Sequence, residues 1–124
     1  MSAWLAVVAG GAVGAPLRYL VDRAVTARTA GTRPSREFPY GLLVVNVLGS
    51  ALAGLVLATT TGDLRVLLLA GFCGAFTTFS GYGWEVTRLW DTARGTFWAA
   101  VVVMPVACLV AFLGFWRLGA LVAG

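Results

Sequence analysis

Gly71-Phe72-Cys73-Gly74-Ala75-Phe76-Thr77-Thr78-Phe79-Ser80 sets two glycines, three hydroxyls and three phenyl rings inside an otherwise apolar segment. A helix immersed in lipid gains nothing from such an interruption. Non-helical backbone at membrane depth is tolerated only where protein or a water-filled cavity covers it. The run therefore reads as a transmembrane helix broken near Gly74 to Thr77, whose freed backbone groups serve an ion. Carbonyls released by a break can hold a cation, as the C-terminal ends of half-helices do. Thr77, Thr78 and Ser80 have a plainer use, bonding back to helix carbonyls.

Other residues could face the same ion path. Asn46 is a lone amide in the middle of an apolar run. It is either interhelical glue or a pore-lining donor that replaces water around an anion. Arg18 either snorkels to the interface or makes an electropositive vestibule that concentrates anions. Phe79 and Tyr82, three apart, share a helical face; aromatic rings have electropositive edges, and a small hard anion profits most from close edge contact. Glu85 ends the uncharged run. It either marks the interface or extends a polar track with Thr78 and Ser80.

These residues need four spans to position them. The chain has 124 residues, 60% hydrophobic and 11% charged, with a mean hydropathy of +0.89. Globular proteins carry roughly 25% charged residues, so an ordinary soluble domain is excluded. Each apolar run reaches the ~20 residues that a spanning helix requires. The first span runs from Trp4 to Val21 and carries the small-residue strip Gly10-Gly11-x-x-Gly14-Ala15, which lets another helix approach closely. The second runs from Pro39 to Thr60. The third starts at Leu64, breaks, and resumes through Phe79 to Trp90. The fourth runs from Phe97 to Leu118, with a kink expected at Pro105. The expectation is an all-α integral membrane protein, residues 1–124 forming one four-helix domain. No basic n-region precedes the first run, so it does not read as a signal peptide.

The charge of +4 comes entirely from arginine. With no soluble module to carry nucleic-acid binding, it reads instead as loop retention at an anionic membrane face. Loops one and three hold Arg23, Arg28, Arg33, Arg36, Arg88 and Arg94, six in all; the opposite face holds two, Arg65 and Arg117. The positive-inside rule then places both termini outside. Cys73 and Cys108 fall within spans and read as free thiols. With no histidine and no nucleophile–base constellation, an enzyme is not expected. Four helices enclose little interior, so oligomerisation is expected.

Three blocks resemble the signature segments of the Fluc-type fluoride channels: Gly10-Gly11-Ala12-Val13-Gly14-Ala15-Pro16-Leu17-Arg18-Tyr19, Gly41-Leu42-Leu43-Val44-Val45-Asn46-Val47-Leu48-Gly49-Ser50, and the Gly71–Ser80 run. Order, spacing and length agree, and the resemblance covers essentially the whole chain. It implies a passive, fluoride-specific channel of the bacterial plasma membrane that expels fluoride and lowers its toxicity. It also implies an antiparallel dimer with two pores and a structural, untransported Na+ held by main-chain carbonyls, here those of Gly74 and Thr77. Asn46 corresponds to the pore asparagine, Arg18 to the vestibule arginine and Phe79 to the first ring-edge phenylalanine; Ser80 and Glu85 fall on or near the polar track, beside Thr78. Two departures stand out. Tyr82 replaces the second ring-edge phenylalanine, and Leu42 replaces a threonine. The arginine bias suits a subunit of one orientation, so a heterodimer with an oppositely oriented homologue stands beside the dual-topology homodimer. The rival class, a small four-span proton-coupled multidrug transporter, needs an acidic residue deep in span one, where this chain has Arg18.

Overall fold

The computed structural model describes residues 2–30 and 38–124. Arg33, Arg36 and Glu37 of loop one lie outside the described residues. Among those described, four helical spans are long and apolar enough to cross a membrane. The first is α1 (Ala3–Thr29) and the second α2 (Tyr40–Thr59). The third, Gly62–Thr92, is composite: α3 (Gly62–Arg65), a π-helical segment (Val66–Cys73), α4 (Gly74–Phe76) and α5 (Phe79–Thr92). The fourth is α6 (Arg94–Ala123).

α1 extends eight residues beyond the expected end at Val21. No glycine or proline interrupts Asp22 to Ala30, and Arg28 in the last turn complements the helix dipole. Ser2 caps the other end, accepting from the Leu5 N–H. At 27 residues the helix is about 40 Å long against a hydrocarbon core of ~30 Å. Its last turns therefore project past the bilayer, and Arg18 lies well inside the helix, not one turn from its end.

The connection between α2 and the third span turns on Gly62, whose φ of +60° is the left-handed backbone that side chains disfavour. Arg65 reaches back across this turn. Its Nε donates to the Thr60 carbonyl at 2.7 Å and its NH2 group to the Leu57 carbonyl at 3.0 Å, satisfying acceptors at the end of α2. Arg65 thus has a structural duty beyond its count as a topogenic charge.

Glycines decide how the spans meet. A Cβ on Gly10 would overlap the Leu67 carbonyl and the Phe72 N–H, and one on Gly14 the Phe72 carbonyl; Gly71 would press on Val7 and Gly10 in return. α1 therefore lies backbone to backbone on the π-helical segment, as the small-residue strip leads one to expect. α2 packs most extensively on α6, where Gly54 faces the Phe112 carbonyl. The core is Leu42, Val45, Phe76 and Met104, with Phe72 and Tyr82 packed against it. It sits beside the interruption of the third span. Leu42, the departure from threonine, is one of these core residues and is only 7% exposed.

Candidate functional site

The interruption falls at Thr77 and Thr78, later than Gly74. Gly74 is still right-handed helical (φ −61°, ψ −33°), whereas Thr77 (−84°, 162°) and Thr78 (−148°, 123°) are extended. Side-chain chemistry explains the position. The Thr77 N–H and hydroxyl both donate to the Cys73 carbonyl, at 3.0 and 2.9 Å, which closes the helix there. In a continued helix the Thr78 N–H would bond the Gly74 carbonyl four residues back. Instead it donates to Asn46 Oδ1 at 2.8 Å, while Asn46 Nδ2 donates to the Thr78 carbonyl at 3.1 Å. One amide side chain thus replaces both bonds that the extended residue forgoes, so Asn46 acts as interhelical glue. A carboxamide carries two N–H hydrogens, and Asn46 also lines a cavity, so a second donor is left for a ligand.

Gly49, one turn along α2 from Asn46, makes room for this arrangement, since a Cβ there would overlap the Thr77 methyl. The sequence shows Gly49 only as part of its motif block; its i+3 spacing from Asn46 is the signal that could have found it. Thr78 also caps α5, accepting the Gly81 N–H on Oγ1 at 3.0 Å, and its hydroxyl lies 3.2 Å from that of Ser80. Gly74 is exposed on the face where Thr77 opens the backbone. Both border a shallow cavity of about 410 Å³ that also touches Gly49 and Ser50.

Phe79 and Tyr82 do share a face, with ring centroids 5.8 Å apart and planes at 44°. Both line a cavity of about 270 Å³ that reaches Asn46, Thr77 and Thr78. Phe79 is 84% exposed, so its ring lies on the outer surface of the chain. The Tyr82 hydroxyl, the feature that distinguishes it from phenylalanine, donates to the Val101 carbonyl of α6 at 3.2 Å.

A third cavity, about 580 Å³, opens toward the arginine-rich end and brings Arg18, Asp22, Thr78, Ser80, Glu85 and Arg88 together. Glu85 does lie with Thr78 and Ser80, whereas Tyr82 faces the other cavity. Sequence reasoning did not single out the partner of Glu85. Arg88 holds Oε2 with Nε at 2.9 Å and NH2 at 2.7 Å, an i,i+3 pair that the spacing would have offered. With Glu85 paired and Asp22 accepting the Thr26 hydroxyl, Arg18 has no hydrogen-bond or ion-pair partner among the described residues. Its charge is free to act on the cavity. Cys73 and Cys108 are free thiols, and no cluster of metal-ligating side chains occurs among the described residues.

A family model described as CrcB-like protein, Camphor Resistance (CrcB), matches residues 5–119. The fluoride-specific ion channel FluC 1 of Nocardia farcinica is 46% identical over 105 residues, 84% of this chain and 70% of that protein. The FluC 1 of Streptomyces avermitilis is 39% identical over 120 residues, 91% and 93% of the two chains. The FluC of Koribacter versatilis is 40% identical over 118 residues, 90% of each.

Proposed function

Because this chain belongs to the CrcB-like protein family, we propose that the cavities around its broken third span are parts of a fluoride path. The protein is a fluoride-specific ion channel of the bacterial membrane, not an enzyme, and fluoride is the ion it passes. The observation that carries this reading to the residues is the Asn46–Thr78 clamp. It holds an extended backbone stretch beside the rings of Phe79 and Tyr82, on a cavity of about 270 Å³. Arg18 draws anions into the wide arginine-side cavity, and Thr78 and Ser80 offer hydroxyls along the way. The Asn46 N–H left free and the edges of Phe79 and Tyr82 replace the lost hydration. Glu85 is compatible with an anion path because Arg88 neutralises it.

The exposed ring of Phe79 and the exposed Gly74 both favour a second copy covering this face, antiparallel as the family resemblance implies. Sodium fits there. Hard cations take oxygen ligands, and the Gly74 carbonyl has lost the Thr78 N–H to Asn46. The Thr77 hydroxyl is spent on Cys73, so Thr77 has its carbonyl to offer. Two carbonyls from each protomer would hold the ion, which supplies charge balance to converging carbonyl dipoles and is not transported.

Proteoliposomes loaded with fluoride or chloride test the reading. Fluoride efflux on addition of a potassium ionophore is expected to exceed chloride efflux by at least a hundredfold. Protein purified with a bulky organic cation in place of sodium is expected to lose most of its flux or its dimer. Equal fluxes of the two halides would sink the channel assignment, and unchanged activity after sodium exchange would sink the cation site alone.

A further inference from the structure

Pro105 lies inside α6. Proline has no N–H, so the carbonyl four residues before it, that of Val101, loses its helical donor. In the interior of a membrane protein no bulk water replaces such a donor, and a bare carbonyl is costly. The Val101 carbonyl is the group that receives the Tyr82 hydroxyl, at 3.2 Å, from a different helix. Val101 is half-buried, and Tyr82 and Pro105 line the same 270 Å³ cavity with Asn46 and Phe79.

We propose that Tyr82 is a positioning residue whose hydroxyl caps the carbonyl that Pro105 leaves open, and that this latch sets the Tyr82–Phe79 ring pair against the Asn46 cavity. A phenylalanine could supply the same ring edge, but it would leave the Val101 carbonyl unpaired. Here the tyrosine and the proline answer each other. The hydroxyl is turned to α6 and presents no proton to the path, so toward an anion Tyr82 acts through its ring. α5 packs chiefly on α6 and is anchored toward its C-terminal end by the fully buried Leu89, so a bond from its first turns to α6 is well placed to fix its other end. This inference rests on the channel reading for its transport consequence and on geometry alone for the latch.

The test is a double-mutant cycle in the full-length protein: parent, Tyr82→Phe, Pro105→Ala and the pair. An alanine at 105 restores an N–H four residues after Val101, so the carbonyl no longer needs the phenol. Tyr82→Phe is expected to slow fluoride efflux per channel about tenfold and to lower the melting temperature by a few degrees. In the Pro105→Ala background the same change is expected to cost less than twofold, with fluoride-over-chloride preference retained. A side chain that only filled space would show the same loss in both backgrounds, and that result overturns the latch. As a second measure, 3-fluorotyrosine replaces the three tyrosines, and the resonance from position 82 is expected to move on Pro105→Ala while those of Tyr19 and Tyr40 stay. An unmoved resonance also overturns the proposal. Coupled melting temperatures with no fluoride flux in any of the four proteins would leave the latch supported and overturn the channel reading.

Discussion

Asn46 shows how one side chain can be both scaffold and site. It is 9% exposed, and both of its polar atoms engage the backbone of Thr78. Removing it leaves the half-buried Thr78 N–H and carbonyl without this partner, each costing up to ~1–3 kcal/mol. Asn46→Ala is therefore expected to lower stability by about 2–4 kcal/mol and to abolish fluoride efflux. Asn46→Asp keeps the acceptor for the Thr78 N–H and loses the donor while adding negative charge. It is expected to be better folded than Asn46→Ala yet equally silent in flux. Thermal unfolding in detergent and efflux from vesicles read the two effects separately. If Asn46→Asp conducted as well as the parent, the amide would have no part in the path.

At the scale of elements, packing is decided by which glycines meet backbone. Gly10, Gly14 and Gly54 face main-chain atoms of a neighbouring helix, and Gly49 faces Thr77; Gly114, in the middle of α6, has open space around it. A side chain at the first group forces helices apart, whereas one at Gly114 adds only helix propensity. Gly54→Val is accordingly expected to destabilise the bundle by about 3 kcal/mol or more, the order of severe overpacking. Gly114→Ala is expected to stabilise it by up to about 1 kcal/mol. Melting temperatures of the two variants check this directly. The reverse order would mean that α2 and α6 do not pack as described. Gly49→Val is a separate case, since it would push on Thr77 and so on the break itself.

The whole molecule leaves much of itself uncovered. Only 11% of the most apolar window of α6 and 17% of that of α1 is buried, against 44% for α2, as expected of helices that face lipid or a second subunit. The antiparallel dimer proposed above requires both orientations of the chain, or a partner of the other one. Six arginines against two favour a single orientation with both termini outside, although Arg65 is engaged as a cap and Arg33 and Arg36 lie outside the described residues. A cysteine at exposed Thr92, in a background with Cys73 and Cys108 replaced, separates the alternatives. A homodimer is expected to label from both sides of the membrane in about equal amounts. Labelling from the cytoplasmic side alone would instead require an oppositely oriented partner.

The sequence by itself determined the four spans, the small-residue contact of α1, the interruption of the third span, and the residues gathered around it. Each follows from local properties: apolar length, missing side chains, and hydroxyls where lipid would want none. Tertiary structure decided which backbone group opens and what holds it. The break could not be placed at Thr77–Thr78 from local propensity, because its partner Asn46 lies 32 residues away in the chain. The length of α1 escaped for the opposite reason, since hydropathy ends at the bilayer while helical hydrogen bonding continues into water. The duties of Gly49, Arg65 and the Tyr82 hydroxyl escaped as well, because each serves a backbone group or methyl that only the fold brings within reach. A polar atom in a membrane must find a partner, and three-dimensional proximity alone says which one it finds.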